Sequence, residues 1–184
     1  MKVLIGCEFT GIVRDQFRKL GHEAYSCDLL PTETNQAYHI QKDVRTILND
    51  NWDLGIFFPP CTHLCVSGAR WFKDKQTEQQ NALDFISRLL LCRIPKIALE
   101  NPIGIISTNI RKPDQIIQPY QFGHGETKST CLWLKNLPKL VPTKIMNERK
   151  PKIHLMPPGK NRSKNRSRTY LGIAKAMASQ WITP

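Results

Sequence analysis

Apolar and polar positions along the chain alternate between two kinds of segment. Lys2 to Cys7, Glu23 to Asp28, Asp53 to Phe58 and Lys96 to Leu99 are short, nearly continuous apolar runs of the length of buried strands. Between them lie stretches with helical spacing. Gly11 to Leu20 places Ile12, Val13, Phe17 and Leu20 on one face, and Gln76 to Cys92 places Ala82, Leu83, Ile86, Leu89 and Leu90 on one stripe. Gly21 and Pro95 stop these two helices. A shorter helical unit is expected over Val44 to Leu48, with the Asp43 carboxylate as its cap. The alternating order predicts an α/β fold with a mostly parallel sheet and helices on both faces. The second half is less regular, with a strand expected over Ser129 to Leu134 and a final helix over Thr169 to Trp181 that buries Ile173, Met177 and Trp181. There is no internal repeat.

At 184 residues the chain fits one domain, 1–184, with a substantial core. Twenty-seven Lys and Arg against fifteen Asp and Glu give a net charge of +12, which points to a polyanionic partner and favours nucleic acid over a membrane surface. The six cysteines are scattered through apolar segments and read as reduced thiols in a cytoplasm. The apolar run at Met1 to Cys7 is too short for a secretory signal, and no run reaches the roughly 18 residues of a membrane span, so a soluble cytoplasmic protein is expected.

Candidate chemistry gathers at the carboxyl ends of the expected strands, the edge at which open α/β sheets bind ligands. The first strand leads into Glu8-Phe9-Thr10-Gly11 and the start of a helix whose amides are able to face a cofactor. Asp28 ends the second strand, placed to accept hydrogen bonds from a ribose. Asp43 follows, with helix capping as its alternative role. The strand 53–58 ends in Pro59-Pro60-Cys61, where two fixed φ angles hold one cysteine in place. That cysteine is either a nucleophile or a small buried residue. Glu100-Asn101-Pro102 ends the next strand and pairs a carboxylate with the thiol. His63 and Cys65, with Cys7 or His124, lack metal-ligand spacing, and no metal is expected. Trp71 and Phe72 are candidates for base stacking or for burial against the following helix.

In this order the motifs resemble the DNA cytosine-5 methyltransferase family over nearly the whole length. Pro59-Pro60-Cys61-Thr62-His63-Leu64-Cys65-Val66-Ser67-Gly68 resembles the family's Pro-Pro-Cys-Gln loop with its following Phe-Ser and Gly, and Glu100-Asn101-Pro102 resembles its Glu-Asn-Val. Phe9-Thr10-Gly11 is similar to the start of the family's cofactor loop, Asp28 to its ribose-binding acid and Asp43-Val44 to its adenine-contacting acid. The resemblance implies a Rossmann-like S-adenosylmethionine-dependent methyltransferase fold and methyl transfer to carbon 5 of cytosine in DNA. It makes Cys61 the nucleophile and Glu100 the base-edge partner. Phe9, Gly11, Asp28, Asp43 and Pro59 become cofactor contacts, and Pro60, Asn101, Arg70 and Lys128 substrate contacts.

Three departures stand beside it. Ile12-Val13-Arg14 occupy the place of the cofactor loop's later glycines. The family's Gln-x-Arg-x-Arg segment aligns with Glu126-Thr127-Lys128-Ser129-Thr130, which retains neither arginine. The long target-recognition insertion is replaced by the irregular, basic Lys135 to Arg168, too short for a domain with its own core. Its run at 160–168 is either a nonspecific phosphate contact or a solvated loop. Extended target recognition is then weak, or is supplied by a partner or a second copy of the chain. Two alternatives remain at this point: the same chemistry on a free nucleotide, single-stranded DNA or RNA, and a nucleic-acid-binding protein without activity.

Overall fold

A computed structural model of the chain describes residues 1–66, 74–160 and 162–182. Among the described residues, seven strands form one sheet: β1 (Lys2–Gly6), β2 (Glu23–Asp28), β3 (His39–Gln41), β4 (Leu54–Phe57), β5 (Lys96–Pro102), β6 (Gln115–Ile117) and β7 (Thr130–Lys135). Their spatial order is β3-β2-β1-β4-β5-β7-β6. The first five strands pair in parallel, while β7 runs antiparallel to both β5 and β6. The fold is therefore the expected Rossmann-like, mostly parallel α/β sheet with helices on both faces, with one strand reversed.

Successive residues of the central strands bury on opposite faces, which is why those strands read as unbroken apolar runs. Val3, Ile5, Leu54, Ile56, Ala98 and Leu132 pack on one side with α1 (Ile12–Lys19) and α6 (Leu171–Gln180), through Val13, Phe17, Ile173 and Met177. On the other side Leu4, Phe57, Ile97, Leu99 and Trp133 meet α2 (Gln76–Leu91) and α3 (Ile106–Asn109), through Leu83, Ile86, Leu89 and Ile106. Trp181 caps the first layer, its indole nitrogen donating to the Pro138 carbonyl at 3.0 Å.

Several expectations need correction. The unit over 44–48 is only a single tight turn at Val44–Thr46, although Asp43 caps it as expected through the Arg45 amide at 2.9 Å. Leu20 is exposed and Arg14 takes the interior instead, fully buried. That charge is tolerable because it is surrounded by partners: its guanidinium donates to Asp15 at 2.8 Å, Ser26 at 3.0 Å and Thr34 at 2.6 Å. The basic stretch after β7 contains two short helices, α4 (Lys152–Leu155) and α5 (Arg162–Arg166). Among the described residues no helix is long and apolar enough to cross a membrane, and all six cysteines are free thiols.

The amides that open α1 are not turned outward. The buried Glu8 carboxylate accepts from the amides of Val13 at 2.7 Å and Arg14 at 3.3 Å, and Thr10 Oγ1 accepts from Ile12 at 3.3 Å. Gly11 allows this return: it sits at φ 71°, and a Cβ there would lie 2.3 Å from Thr34 Oγ1. Burial pushes the Glu8 carboxyl from its usual 4.5 up to about 7, against the pull of those amides. The folded chain thus holds this proton more tightly than the unfolded one, so the stability it contributes is present below about 4.5 and lost as pH rises through about 7. The expected effect is a loss on the order of 3 kcal/mol between about pH 5 and about pH 8. In thermal unfolding across this range, Glu8→Gln should flatten the wild-type decline; an unchanged slope would remove Glu8 as its source.

Candidate active site

Two adjacent parallel strands bring the expected chemistry together. The β4–β5 register sets Ile56 opposite Ala98 and Phe57 opposite Leu99, so the residues that follow emerge side by side at the carboxyl edge. The chain past β4 is held there at several points. Phe58 continues the pairing by donating to Gly6 at 3.0 Å, and the buried Asn101 Nδ2 donates to the Pro59 carbonyl at 2.9 Å. The Cys61 carbonyl accepts from the amides of Leu64 and Cys65, each at 3.0 Å, winding a turn around the cysteine. Ile105 donates to the Leu64 carbonyl at 2.9 Å and Val66 to Ile103 at 3.2 Å, which stitches the cysteine loop to the segment after β5. This seam requires glycine at 104, since a Cβ there would stand 2.0 Å from the Leu64 carbonyl oxygen.

The reversed strand completes the cluster. Because β7 runs antiparallel to β5, with Thr130 opposite Pro102, it begins at the same edge and delivers Lys128 there. Cys61, Glu100 and Lys128 feel one another's charge. Burial, then the neighbouring Cys65 and Glu100, pushes the Cys61 thiol up, while the Lys128 ammonium opposes this. Glu100 is partly open to solvent, yet desolvation raises its carboxyl above the usual range, against the stabilising Lys128 charge and the Thr130 hydroxyl. The Lys128 ammonium also donates to the Arg166 carbonyl at 3.1 Å.

Beside this cluster lies a cavity of about 230 Å³ lined by Cys7, Cys27, Asp28, Leu29, Asp43, Val44, Pro60 and Phe85, among others. Asp28 and Asp43 thus line one space. Asp28 Oδ1 accepts only from the Leu30 amide at 2.9 Å among the described side-chain bonds. Asp43 is more engaged: the Arg45 guanidinium forks onto both its oxygens and holds its carboxyl below the usual range. Acids able to accept from hydroxyls or an amine, set among apolar side chains, fit a nucleoside.

Pro60 reaches this cavity, whereas Pro59 is buried with its carbonyl on Asn101. Phe9 and Gly11 do not line the cavity; Phe9 is buried beneath the Lys164 ammonium, 5.2 Å from its ring centroid. Asn101 acts here as a clamp on the cysteine loop. Arg70, Trp71, Phe72 and the Ser67-Gly68 pair lie outside the described residues. Among the described residues no three His, Cys, Asp or Glu converge as a metal site would require. Sequence reasoning missed Arg45 and Phe85 at the cavity and Thr130 beside Glu100. Only the Asp43-x-Arg45 spacing carried a local signal, because an arginine two residues after a capping acid can fold back onto it.

No family model and no curated protein matches the chain. Among solved structures it is similar to a prophage-encoded E. coli protein with the provisional description of a DNA modification methyltransferase. The TM-score is 0.48 and the identity 14%, over 78% of this chain and 51% of that one, so this chain spans about half its neighbour's length.

Two charges of opposite sign act on Cys61, Glu100 against its ionisation and Lys128 in favour of it. Removing Lys128 takes away the charge that favours the thiolate, and removing the Glu100 charge takes away one that opposes it. At about pH 8, Lys128→Met should slow iodoacetamide alkylation of Cys61 about threefold and Glu100→Gln should speed it by a similar factor, read by peptide mass spectrometry. Rates that moved in the same direction would show that access rather than charge governs the thiol.

Proposed function

We propose that this chain is an S-adenosylmethionine-dependent methyltransferase acting on carbon 5 of cytosine in DNA. The observation that carries this reading is the meeting of Cys61, Glu100 and Lys128 at two adjacent strand ends, beside a cavity lined by Asp28 and Asp43 and bordered by Pro60. Asp28 would hold the cofactor's ribose hydroxyls, and Asp43 with the apolar Val44, Leu29 and Phe85 its adenine. The bound cofactor supplies an electrophilic methyl group.

The chain's own residues prepare the base. Cytosine carbon 5 is a poor nucleophile, so the Cys61 sulfur adds to carbon 6, and the former double-bond electrons make carbon 5 nucleophilic. A proton is required at N3 as this charge develops, and Glu100 is suited to provide it because burial already raises its carboxyl pKa. The two groups assist each other: a proton on Glu100 removes a charge that opposes ionisation of Cys61, so thiolate and carboxylic acid are favoured together. Lys128 supports the thiolate as a point charge, without the fork of an arginine. After transfer, carbon 5 loses its proton to water, the electrons of that bond re-form the carbon 5–carbon 6 double bond and expel Cys61 as a thiolate, and the N3 proton returns to the Glu100 carboxylate, which restores ring and enzyme. In a duplex the base must first leave the stack, at a cost of a few kcal/mol.

DNA carrying 5-fluorocytosine blocks that last step, so with S-adenosylmethionine the protein should form a covalent adduct visible by mass. Cys61→Ser should abolish it, and Glu100→Gln should slow its formation by about a hundredfold or more. Comparing duplex, single strand and free deoxycytidine nucleotide in the same assay identifies the substrate class. Absence of both adduct and cofactor binding would end the enzyme reading; nucleic-acid binding without an adduct would leave a binding protein on this fold.

A further inference from the structure

The chain's positive charge is strongly segregated. Residues 149–184 contain nine Lys and Arg and no Asp or Glu, and so contribute +9 of the net +12. Eight of the nine lie within 149–168: Arg149, Lys150, Lys152, Lys160, Arg162, Lys164, Arg166 and Arg168. The described ion pairs of this stretch involve three carboxylates. Lys150 meets Glu148 at 2.5 Å, Lys152 meets Glu126 at 3.2 Å, and both Lys164 and Arg168 meet Glu33 at 2.7 Å. Eight cations against three acids leave a large surplus, and Lys160 and Lys164 are exposed.

The position of this surplus is set by contacts with the carboxyl edge of the sheet. The Arg166 carbonyl accepts from Lys128, the lysine whose charge reaches Cys61 and Glu100. Lys164 stands over the ring of Phe9, and Glu33, on the loop after β2, holds Lys164 and Arg168 together. Lys160, Arg162, Lys164, Arg166 and Arg168 recur at every second position, which spreads charge around the short helix α5 and its flanks, and the contacts of Lys164, Arg166 and Arg168 hold this charge at that edge.

We propose that Lys160, Arg162, Lys164, Arg166 and Arg168 form a phosphate-binding strap for a nucleic-acid backbone, laid beside the Cys61–Glu100 site. It contacts phosphates independently of sequence and positions the strand whose base enters the site. Glu33 competes with those phosphates for Lys164 and Arg168 in the free protein. That the strand presents a cytosine rests on the methyltransferase reading; the phosphate contact does not.

Fluorescence anisotropy with the full chain and labelled 20-nucleotide DNA, duplex and single-stranded, over a range of KCl tests this directly. Each phosphate contact contributes about 0.9 to the slope of log affinity against log salt for a duplex and about 0.7 for a single strand. A variant with Lys160→Gln, Lys164→Gln, Arg166→Gln and Arg168→Gln should lose about three units of slope. It should keep the wild-type melting temperature and calorimetric binding of S-adenosylmethionine, because none of the four residues lines the cavity. Glu33→Gln, which frees two cations, should act in the opposite direction and tighten binding severalfold at low salt. The charge-preserving Arg166→Lys with Arg168→Lys should retain the slope. The strap is refuted by an unchanged slope in the quadruple variant, by weaker binding in Glu33→Gln, or by equal loss of slope in the charge-preserving pair. Binding to phosphatidylserine vesicles but to neither DNA would refute it also. Salt-sensitive DNA binding without a 5-fluorocytosine adduct would keep the strap and remove the methyltransferase reading; an adduct with an unaltered slope would do the reverse.

Discussion

Everything at the candidate site depends on the register between β4 and β5. Parallel pairing of Ile56 with Ala98 and Phe57 with Leu99 fixes which residues emerge together at the edge, and a slip of one position would turn each side chain to the other face. Asn101 extends that register beyond the ladder. Its buried amide finds the Pro59 carbonyl, and a proline-rich turn with few donors of its own is thereby fixed to its neighbour. The Leu64–Ile105 bond and the close approach at Gly104 finish the seam. Cys61 and Glu100 are neighbours because of backbone constraints, not because they attract each other.

The reversal of β7 has an electrostatic meaning within this frame. A parallel seventh strand would end at the carboxyl edge, whereas the antiparallel one begins there, so the loop containing Lys128 meets two groups that both resist ionisation. One ammonium opposes the burial penalty on both. Its further bond to the Arg166 carbonyl links this cluster to the most basic part of the chain.

The parts legible in the sequence are those whose causes are local or periodic. β1, β2, β4 and β5 were readable because strands buried on both faces leave continuous apolar runs, and α2 because Leu83, Ile86 and Leu89 repeat at helical spacing. The Asp43 cap was readable because its partner is two residues away. β3 and β6 were not, since His39-Ile40-Gln41 and Gln115-Ile116-Ile117 are strands only by virtue of edges that β2 and β7 offer them. The burial of Arg14 was not legible for the same reason: Ser26 and Thr34, which make it tolerable, lie far along the chain. At the site, the order of Pro59-Pro60-Cys61 and Glu100-Asn101-Pro102 was legible. The return of Glu8 onto the α1 amides was not, because an acid after a strand faces ligand and backbone alike in a sequence.

The chain leaves the core at Leu140 and is recaptured at Ile173, Met177 and Trp181, so the basic stretch is a loop whose two ends are both anchored in the same hydrophobic layer. For such a loop, closure entropy grows only logarithmically, by about 0.6 kcal/mol for each doubling of length. The architecture is therefore nearly indifferent to how many residues are spliced between β7 and α6. A short cationic connector and a large inserted module are thermodynamically similar solutions on one scaffold, and selection is free to trade length for discrimination at this junction without renegotiating the core.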